Sequence, residues 1–221
     1  MNARSRILSV AGVAVLSTLA GCGSLLETTL PAPQSYVLRL APGAVNVSES
    51  PAGSVLVLRP EPGPGLDSNR IMLLRSEKRL DSFAASLWAA PAPDMMESLL
   101  LDALRRGGGF SNVFDDRAPY PPQYTLRVTL RRFEADYTSG NGPPTVYVTL
   151  DATLGRHRDR TLLASFTAEG SARAAEDRMG PVVAAFEAAA TAAVNDVAQA
   201  AAEAVAGEPR AAQAAGQALR K

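Results

Sequence analysis

The sequence predicts an α+β fold, a single antiparallel or mixed sheet with two main helices packed on one face. Three runs between residues 124 and 168 alternate apolar and polar side chains, which is typical of amphipathic strands. Two other runs, residues 95–106 and 181–206, repeat apolar side chains every three to four positions, which is typical of helices that cover a sheet. With 221 residues, the chain is long enough for one such domain plus flexible ends.

The first half of the chain predicts several short strands. Residues 36–40 form a first strand. Residues 54–59 are apolar on both faces, which indicates a covered, central strand. The breaker-rich residues 60–65 end that strand. Residues 70–75 predict the next strand, with residues 80–83 as a short partner after a turn.

A helix is predicted after Pro91 and Pro93, with Asp94 as its N-cap. Its apolar side chains fall at helical spacing on one side, namely Met96, Leu99, Leu100, Ala103 and Leu104. Gly107 ends the helix, and residues 110–114 form a strand after the glycine turn.

The clearest β signal follows, in residues 124–130, 146–154 and 162–168. Their short or Pro/Gly-rich connections predict an antiparallel meander covered on one face. The segment from Pro181 to about Ala206 supplies the cover, because its many alanines allow a helix to lie close to a sheet. The predicted domain therefore spans residues 35–206. The remaining residues 207–221 lack large apolar side chains and predict a flexible tail.

Residues 1–21 predict a secretory signal peptide. Arg4 and Arg6 precede an apolar run that is too short to span a bilayer, which needs ~20 residues. The run ends in Leu19-Ala20-Gly21-Cys22, which resembles the lipobox of bacterial lipoproteins. In those proteins the signal is cut before the cysteine, whose sulfur is diacylated and whose new amine is acylated (palmitate). The resemblance implies that Cys22, the only cysteine, is a lipid attachment point.

Residues 22–34 then form a lipidated tether, with two prolines and no periodic pattern. Gly23 and Ser24 follow the cysteine, without the aspartate that in such lipoproteins commonly signals retention at the inner membrane. Three acyl chains supply far more binding than one chain, so stable anchoring is expected. We therefore expect the protein to be lipid-anchored in the outer membrane and to face the periplasm.

Charge and residue usage disfavour several kinds of function. Removal of residues 1–21 takes away two of the 22 basic residues and none of the 22 acidic ones, which leaves a charge of about −2. Nucleic acid selects strongly basic faces, so it is not an expected partner. His157, the only histidine, lies in a predicted turn, which supports neither a zinc site nor a catalytic triad. Asp115 and Asp116 are interpreted as solvated loop charges.

The sequence thus predicts no catalytic residue, no metal, no cofactor and no enzyme. Trp88, the only tryptophan, lies at the predicted entrance to the helix. Two interpretations of Trp88 stay open: a core anchor under the helix, or a rigid aromatic in a groove or interface, where tryptophan is enriched.

Several features occur in an order that resembles the ABC-type transport auxiliary lipoproteins, including the outer-membrane lipoprotein of the paraquat-inducible Mce system. After the lipobox these features are Tyr36-Val37-Leu38, Val55-Leu56-Val57 with Pro60, residues 66–71, Trp88 with Pro91 and Pro93, Phe110 and Val113, the strand from Tyr124 to Phe133, and the closing alanine-rich helix. The resemblance covers most of the mature chain. Members often carry an aromatic pair before the tryptophan, where this chain has Phe83 followed by Ala84-Ala85.

The resemblance implies a periplasm-facing partner of an ABC transporter that carries an Mce (mammalian cell entry) domain protein and moves lipids between the two membranes. The family's Leu-Asp-x-x-Arg-Ile and Trp elements match Leu66, Asp67, Arg70, Ile71 and Trp88. Of these, Asp67, Arg70 and Trp88 are candidate contacts with a partner. The family has no known catalytic residues, so none are carried over.

The first functional hypothesis is therefore a non-enzymatic outer-membrane lipoprotein that docks the Mce-domain component of an ABC lipid-transport system. The sequence permits, without requiring, self-assembly of this chain into a ring. The alternative is a structural or assembly adaptor lipoprotein of the outer membrane. A periplasmic hydrolase is disfavoured, because no nucleophile–base set is present.

Overall fold

A computed structural model of the protein describes residues 32–41, 51–140 and 142–218, with side chains as far as Glu208. The chain divides into two units, Met1–Ala32 and Pro33–Lys221, and the described strands and helices belong to the second. The predicted signal peptide, Cys22 and the tether up to residue 31 lie outside the described residues.

The second unit contains strands and helices in the order expected of an α+β fold. The strands are β1 (Gln34–Tyr36), β2 (Ala52–Val57), β3 (Glu61–Pro62), β4 (Arg70–Arg75), β5 (Arg79–Trp88), β6 (Phe110–Phe114), β7 (Tyr124–Asp136), β8 (Thr145–Arg156) and β9 (Leu162–Arg173). The helices are α1 (Ala92–Gly107) and α2 (Met179–Ala218), with a short 3₁₀ turn at Ser76–Lys78 between β4 and β5.

The sheet is mixed, and β7 is its central strand. One edge of β7 pairs with β8, which pairs with β9, and both pairings are antiparallel. The other edge of β7 is shared along its length by β2, β3 and β4, all parallel to it. β6 extends the sheet beside β2, whereas β5 and then β1 extend it beside β4. The predicted mixed sheet and meander are confirmed.

The predicted alternation is confirmed in β7 and β8. The apolar series that faces the helices is buried, namely Leu126, Val128, Leu130, Val146, Val148, Leu150, Ala152 and Leu154. The pairing of β7 with β8 shifts register between Leu130 and Arg132. This extra residue in β7 is a bulge, and beyond it Phe133 and Ala135 continue the buried face.

The first helix ends where predicted and begins earlier than predicted. All five apolar residues predicted on its inner side are buried, and the helix ends before Gly108, which has a φ of 60°. A left-handed residue at this position is the usual end of a helix, and glycine adopts it without strain. The prediction that Asp94 is the N-cap is wrong. Pro91 occupies that position and Asp94 lies within the first turn, because Ala92 and Pro93 are already helical.

The second helix packs closely on β8 and β9, as its small side chains predict. Phe186, Ala189 and Val194 are fully buried in the predicted stripe. The helix continues past residue 207, through Ala218. Glu208, near this end of the helix, is hydrogen-bonded through its carboxylate to the sheet.

Three further strand predictions need correction. The first strand is Gln34–Tyr36 rather than residues 36–40, because its partner β5 ends at Trp88, opposite Tyr36. β5 is ten residues long rather than a short segment at 80–83. Leu162 does not continue the buried series. The pairing of β8 with β9 shifts register next to it, and its side chain is 62% exposed.

Candidate functional site

A cleft of about 500 Å³ opens beside the outer side of α1. Its walls come from Arg59, which follows β2, from residues 94–101 of α1 and from the loop after β6. The lining residues are Arg59, Asp94, Glu97, Ser98, Leu101, Asp115, Asp116 and Arg117. Leu101 is only 8% exposed and contributes an apolar surface to an otherwise charged cleft.

Arg59 connects two segments of the chain at one rim of this cleft. Its Nε donates a 2.5 Å hydrogen bond to Asp94 Oδ1, and its Nη2 donates a 3.1 Å hydrogen bond to Asp67 Oδ1. The hydrogen bond with Asp94, and then that with Asp67, raises the pKa of Arg59 above its ordinary value. All three side chains are at least 40% exposed, so each ion pair adds little to folding stability.

The segment between Leu66 and Ile71 positions the start of α1. Leu66 and Ile71 are buried at its two ends. The Ser68 carbonyl accepts a 3.0 Å hydrogen bond from the amide of Ala92, the first residue of α1. Amides in the first turn of a helix have no partner within the helix, so this bond satisfies one of them. The segment therefore has a structural role at the site, and it places Asp67 beside Arg59.

The three candidate contact residues lie in different environments. Asp67 is exposed and reaches the cleft rim through Arg59. Arg70 is exposed at the start of β4, where its amide donates to Ser68 Oγ. Trp88 is the last residue of β5 and only 1% exposed. The structure brings Asp67 to the cleft and places the Trp88 indole in the core.

The indole of Trp88 belongs to an aromatic cluster beneath α2. Its ring lies 5.6 Å from that of Phe133 on β7 and 5.1 Å from that of Phe186 on α2, measured between centroids. Trp88 therefore anchors the core, which is one of the two interpretations that the sequence leaves open. The helix above it is α2, not the helix that follows it in the chain. Among the described residues, no hydrogen-bond partner is found for its buried Nε1.

Glu97 lies among several other carboxylates of the cleft. Burial raises the pKa of Glu97, and the charges of Asp116, Asp115 and Asp94 raise it further, whereas Arg117 lowers it. The amide of Arg117 donates a 3.1 Å hydrogen bond to Asp115 Oδ1, which holds the turn that carries these residues. A cation placed in the cleft would stabilise the ionised form of Glu97.

Sequence reasoning missed part of this cleft. Asp115 and Asp116 lie in a loop, as predicted, and Asp116 is exposed, but that prediction did not foresee that both line the cleft with Glu97. Asp94 and Glu97 are three residues apart, which places them on the same side of a helix and is a readable signal. The approach of the loop after β6 to that side is a long-range contact, which no local pattern reveals.

Comparison with known proteins identifies the family. The family model described as "ABC-type transport auxiliary lipoprotein component" matches residues 36–198, from the end of β1 well into α2. The chain belongs to this family. The matched region contains every residue that lines the cleft.

Solved structures share the fold of this transport auxiliary lipoprotein. A crystal structure of a Xanthomonas campestris protein, assigned to the family DUF330, is 26% identical, with a TM-score of 0.69. That match covers 80% of this chain and 99% of the other. The structure of an uncharacterized protein is 18% identical, with a TM-score of 0.58, and covers 78% of this chain and 99% of the other. No curated protein matches the sequence.

Three further observations concern the described part of the auxiliary lipoprotein. In residues 32–41, 51–140 and 142–218, no helix is both long and apolar enough to cross a membrane. Within the same residues, no three His, Cys, Asp or Glu side chains are grouped so as to hold a metal ion. His157 is exposed in the turn after β8, where its Nδ1 lies 3.0 Å from Thr125 Oγ1.

Proposed function

We propose that this auxiliary lipoprotein is a non-enzymatic docking protein of the outer membrane. It receives the periplasmic, Mce-domain component of an ABC lipid-transport system. The observation that carries the proposal is the family match over residues 36–198, which spans nearly all of the α+β domain. The order of motifs in the sequence, from the lipobox to the closing helix, adds the resemblance to Mce-type systems.

Lipid anchoring follows from the segment that precedes the domain. Acylation of Cys22 would hold the chain in the inner leaflet of the outer membrane, and the tether of residues 22–34 would let the domain reach into the periplasm. The ATPase of the transporter, on the other membrane, would supply the energy. The role of this chain would be to hold the periplasmic component in place.

The cleft supports a docking role better than a catalytic one. Its charged groups are carboxylates and guanidinium groups, and Arg59 is engaged by Asp94 and Asp67. Carboxylates and guanidinium groups at a surface select a partner by complementary charge and speed its association. Docking on such a surface requires no nucleophile or general base.

Affinity purification of the full-length protein tests the proposal. The tagged protein is recovered from gently solubilised envelopes, and mass spectrometry identifies what accompanies it. We expect an Mce-domain protein together with a permease and an ATPase. An outer-membrane barrel or a cell-wall protein in their place would contradict the docking role and favour the assembly adaptor.

A variant without the acylation site separates anchoring from docking. In Cys22→Ser, we expect the acyl groups to be absent from the N-terminal peptide and the protein to leave the outer-membrane fraction. Wild-type protein that carries no acyl group on Cys22 would contradict the anchoring mechanism. Density-gradient separation of the two membranes then tests the expected location of the wild-type lipoprotein.

A further inference from the structure

The loop after β6, which supplies three of the residues that line the cleft, also presents an exposed aromatic side chain. Tyr120 is 66% exposed, and its ring centroid lies 6.1 Å from that of Phe114. Tyr120 is flanked by Pro119, Pro121 and Pro122. Proline fixes φ, so this stretch loses less conformational entropy on binding than a flexible loop.

The exposed aromatic and one wall of the cleft belong to the same loop. Asp115, Asp116 and Arg117 line the cleft and lie in the chain between Phe114 and Tyr120. We call the cleft together with residues 114–123 the docking surface. A tyrosine held between prolines, on the loop that lines a partly apolar cleft, has the composition of a protein interface, in which tyrosine is enriched among the residues that dominate binding.

Charge indicates what the docking surface selects. Arg59 is already hydrogen-bonded to Asp94 and Asp67. Of the other charged groups that line the cleft, three are carboxylates, Glu97, Asp115 and Asp116, and one is a guanidinium group, Arg117. The cleft is therefore short of positive charge, and a cationic side chain complements it.

We infer that the docking surface binds a cationic segment of the transporter's periplasmic component. A Lys or Arg side chain of that segment enters the cleft, and an adjoining apolar side chain packs on Tyr120. This inference rests on the proposed function, because it assigns the contact surface for the partner proposed above. The volume of about 500 Å³ is within the range of pockets that hold a compact group of side-chain size or larger.

Site-specific photo-crosslinking in the full-length lipoprotein tests this surface. Benzoylphenylalanine replaces Tyr120 in cells that contain the native transport system, and adducts are identified by mass spectrometry. The matched control places the same group at Leu162, which is 62% exposed at the start of β9. We expect an adduct with the periplasmic ABC component at position 120 and none at position 162.

Charge reversal then tests the cationic character of the bound segment. We expect Asp115→Lys combined with Asp116→Lys to lower the yield of the adduct at position 120 by about tenfold, because lysines in the cleft repel a cation. The control is Glu169→Lys combined with Asp196→Lys, which reverses two exposed carboxylates outside the cleft. We expect this control to retain the wild-type yield. Tyr120→Ser provides an independent variant in co-purification, where we expect weaker recovery of the partner.

The results distinguish failure of the inference from failure of the proposed function. Co-purification of the transport component with wild-type protein, without an adduct at position 120, would overturn the inference and leave the function standing. An unchanged adduct yield in the double lysine variant would show that the bound segment is not cationic. It would therefore also overturn the inference and leave the proposed function standing. An adduct at position 120 with a second copy of this chain would also overturn the inference. Wild-type protein that captures no transport component would overturn both.

Discussion

Gly170 on β9 lies in direct contact with the backbone of α2 at Ala189. A β-carbon placed on Gly170 would overlap the carbonyl oxygen of Ala189 and would lie 3.1 Å from the amide nitrogen of Ala193. Both atoms are helix backbone and cannot move without displacing α2. This close approach explains why the helix presents alanine to the sheet, with Ala189 and Ala193 fully buried.

Substitution of Gly170 by alanine is therefore expected to be costly. Gly170→Ala forces α2 away from β9, and overpacking of this kind costs about 1–3 kcal/mol, or more where backbone must move. Urea denaturation of the purified protein measures the change in the free energy of unfolding. Gly180→Ala is the control, since nothing lies within 4 Å of a β-carbon there. Equal stability of the two variants would show that α2 does not approach the sheet so closely.

Trp88 allows a prediction about a buried donor without a partner. Trp88→Phe removes the Nε1 donor and keeps a ring against Phe133 and Phe186. An unsatisfied buried donor costs about 1–3 kcal/mol, which offsets part of the packing loss. We expect Trp88→Phe to stay within about 1 kcal/mol of wild type, whereas Trp88→Ala loses about 3–5 kcal/mol.

The comparison of the two tryptophan variants uses denaturation followed by circular dichroism. Fluorescence is unsuitable, because Trp88 is the only tryptophan in the chain. If the phenylalanine variant is as unstable as the alanine variant, the indole N–H makes a stabilising bond in solution.

The phenol of Tyr137 is expected to make the free energy of unfolding pH-dependent in the alkaline range. Burial, and then the hydrogen bond to Asp177, raises the pKa of Tyr137 well above its ordinary value. The folded protein therefore holds this proton more tightly than the unfolded chain does. The contribution to stability is complete below the unfolded pKa of about 10 and is lost as pH rises toward the folded pKa.

We expect the free energy of unfolding to decrease as the pH is raised above about 10, and to decrease less steeply in Tyr137→Phe. Denaturation at a series of pH values between 8 and about 11 measures both slopes. The pKa of Tyr124 is also raised, first by burial and then by Glu208, so some pH dependence persists in the variant. Identical slopes for the two proteins would rule out a contribution from Tyr137.

The hydrogen bonds of Glu208 hold the far part of α2 against the sheet. Tyr124 donates a 2.9 Å hydrogen bond to Glu208 Oε2, and Arg156 Nε donates a 2.7 Å hydrogen bond to Glu208 Oε1. We expect Tyr124→Phe to speed amide exchange in residues 205–218 about three- to tenfold, because one of these bonds is lost. Exchange rates in residues 182–197, which pack on the sheet independently of Glu208, should not change.

A control variant on the same helix addresses the specificity of that effect. Glu203 accepts a hydrogen bond from Gln199 on the exposed side of α2. Exposed pairs of this spacing contribute little, so we expect Glu203→Gln to leave exchange in residues 205–218 near the wild-type rate. Equal acceleration by both variants would indicate general fraying of the helix rather than loss of its contact with β7.

Local periodicity was sufficient to predict much of the fold. The strands at β7 and β8 and the inner sides of both helices follow from alternation and helical spacing, because each pattern is set by neighbours in the chain. Errors occurred where a distant partner decides the outcome. The first strand ends at Tyr36 because β5 ends opposite it, and α1 begins at Ala92, before Asp94, where the Ala92 amide donates to the Ser68 carbonyl.

The candidate site was less accessible to sequence reasoning. Asp67 was identified through a family resemblance, and it does lie at the rim of the cleft, bonded to Arg59. Glu97 and Asp115 belong to a helix and a loop that are separated by 18 positions in the chain, so their common environment depends on tertiary packing.

The sequence by itself determined the α+β class, the meander, the alanine-faced helix and the family, since these depend on periodicity and on the order of motifs. Only the tertiary structure decided that β2, β3 and β4 share one edge of β7, and that Trp88 is buried beneath α2. It also decided that a cleft forms between α1 and the loop after β6. Strand pairing and side-chain burial depend on contacts between segments that are distant in the chain. They are therefore determined by the free energy of the whole core rather than by any single segment.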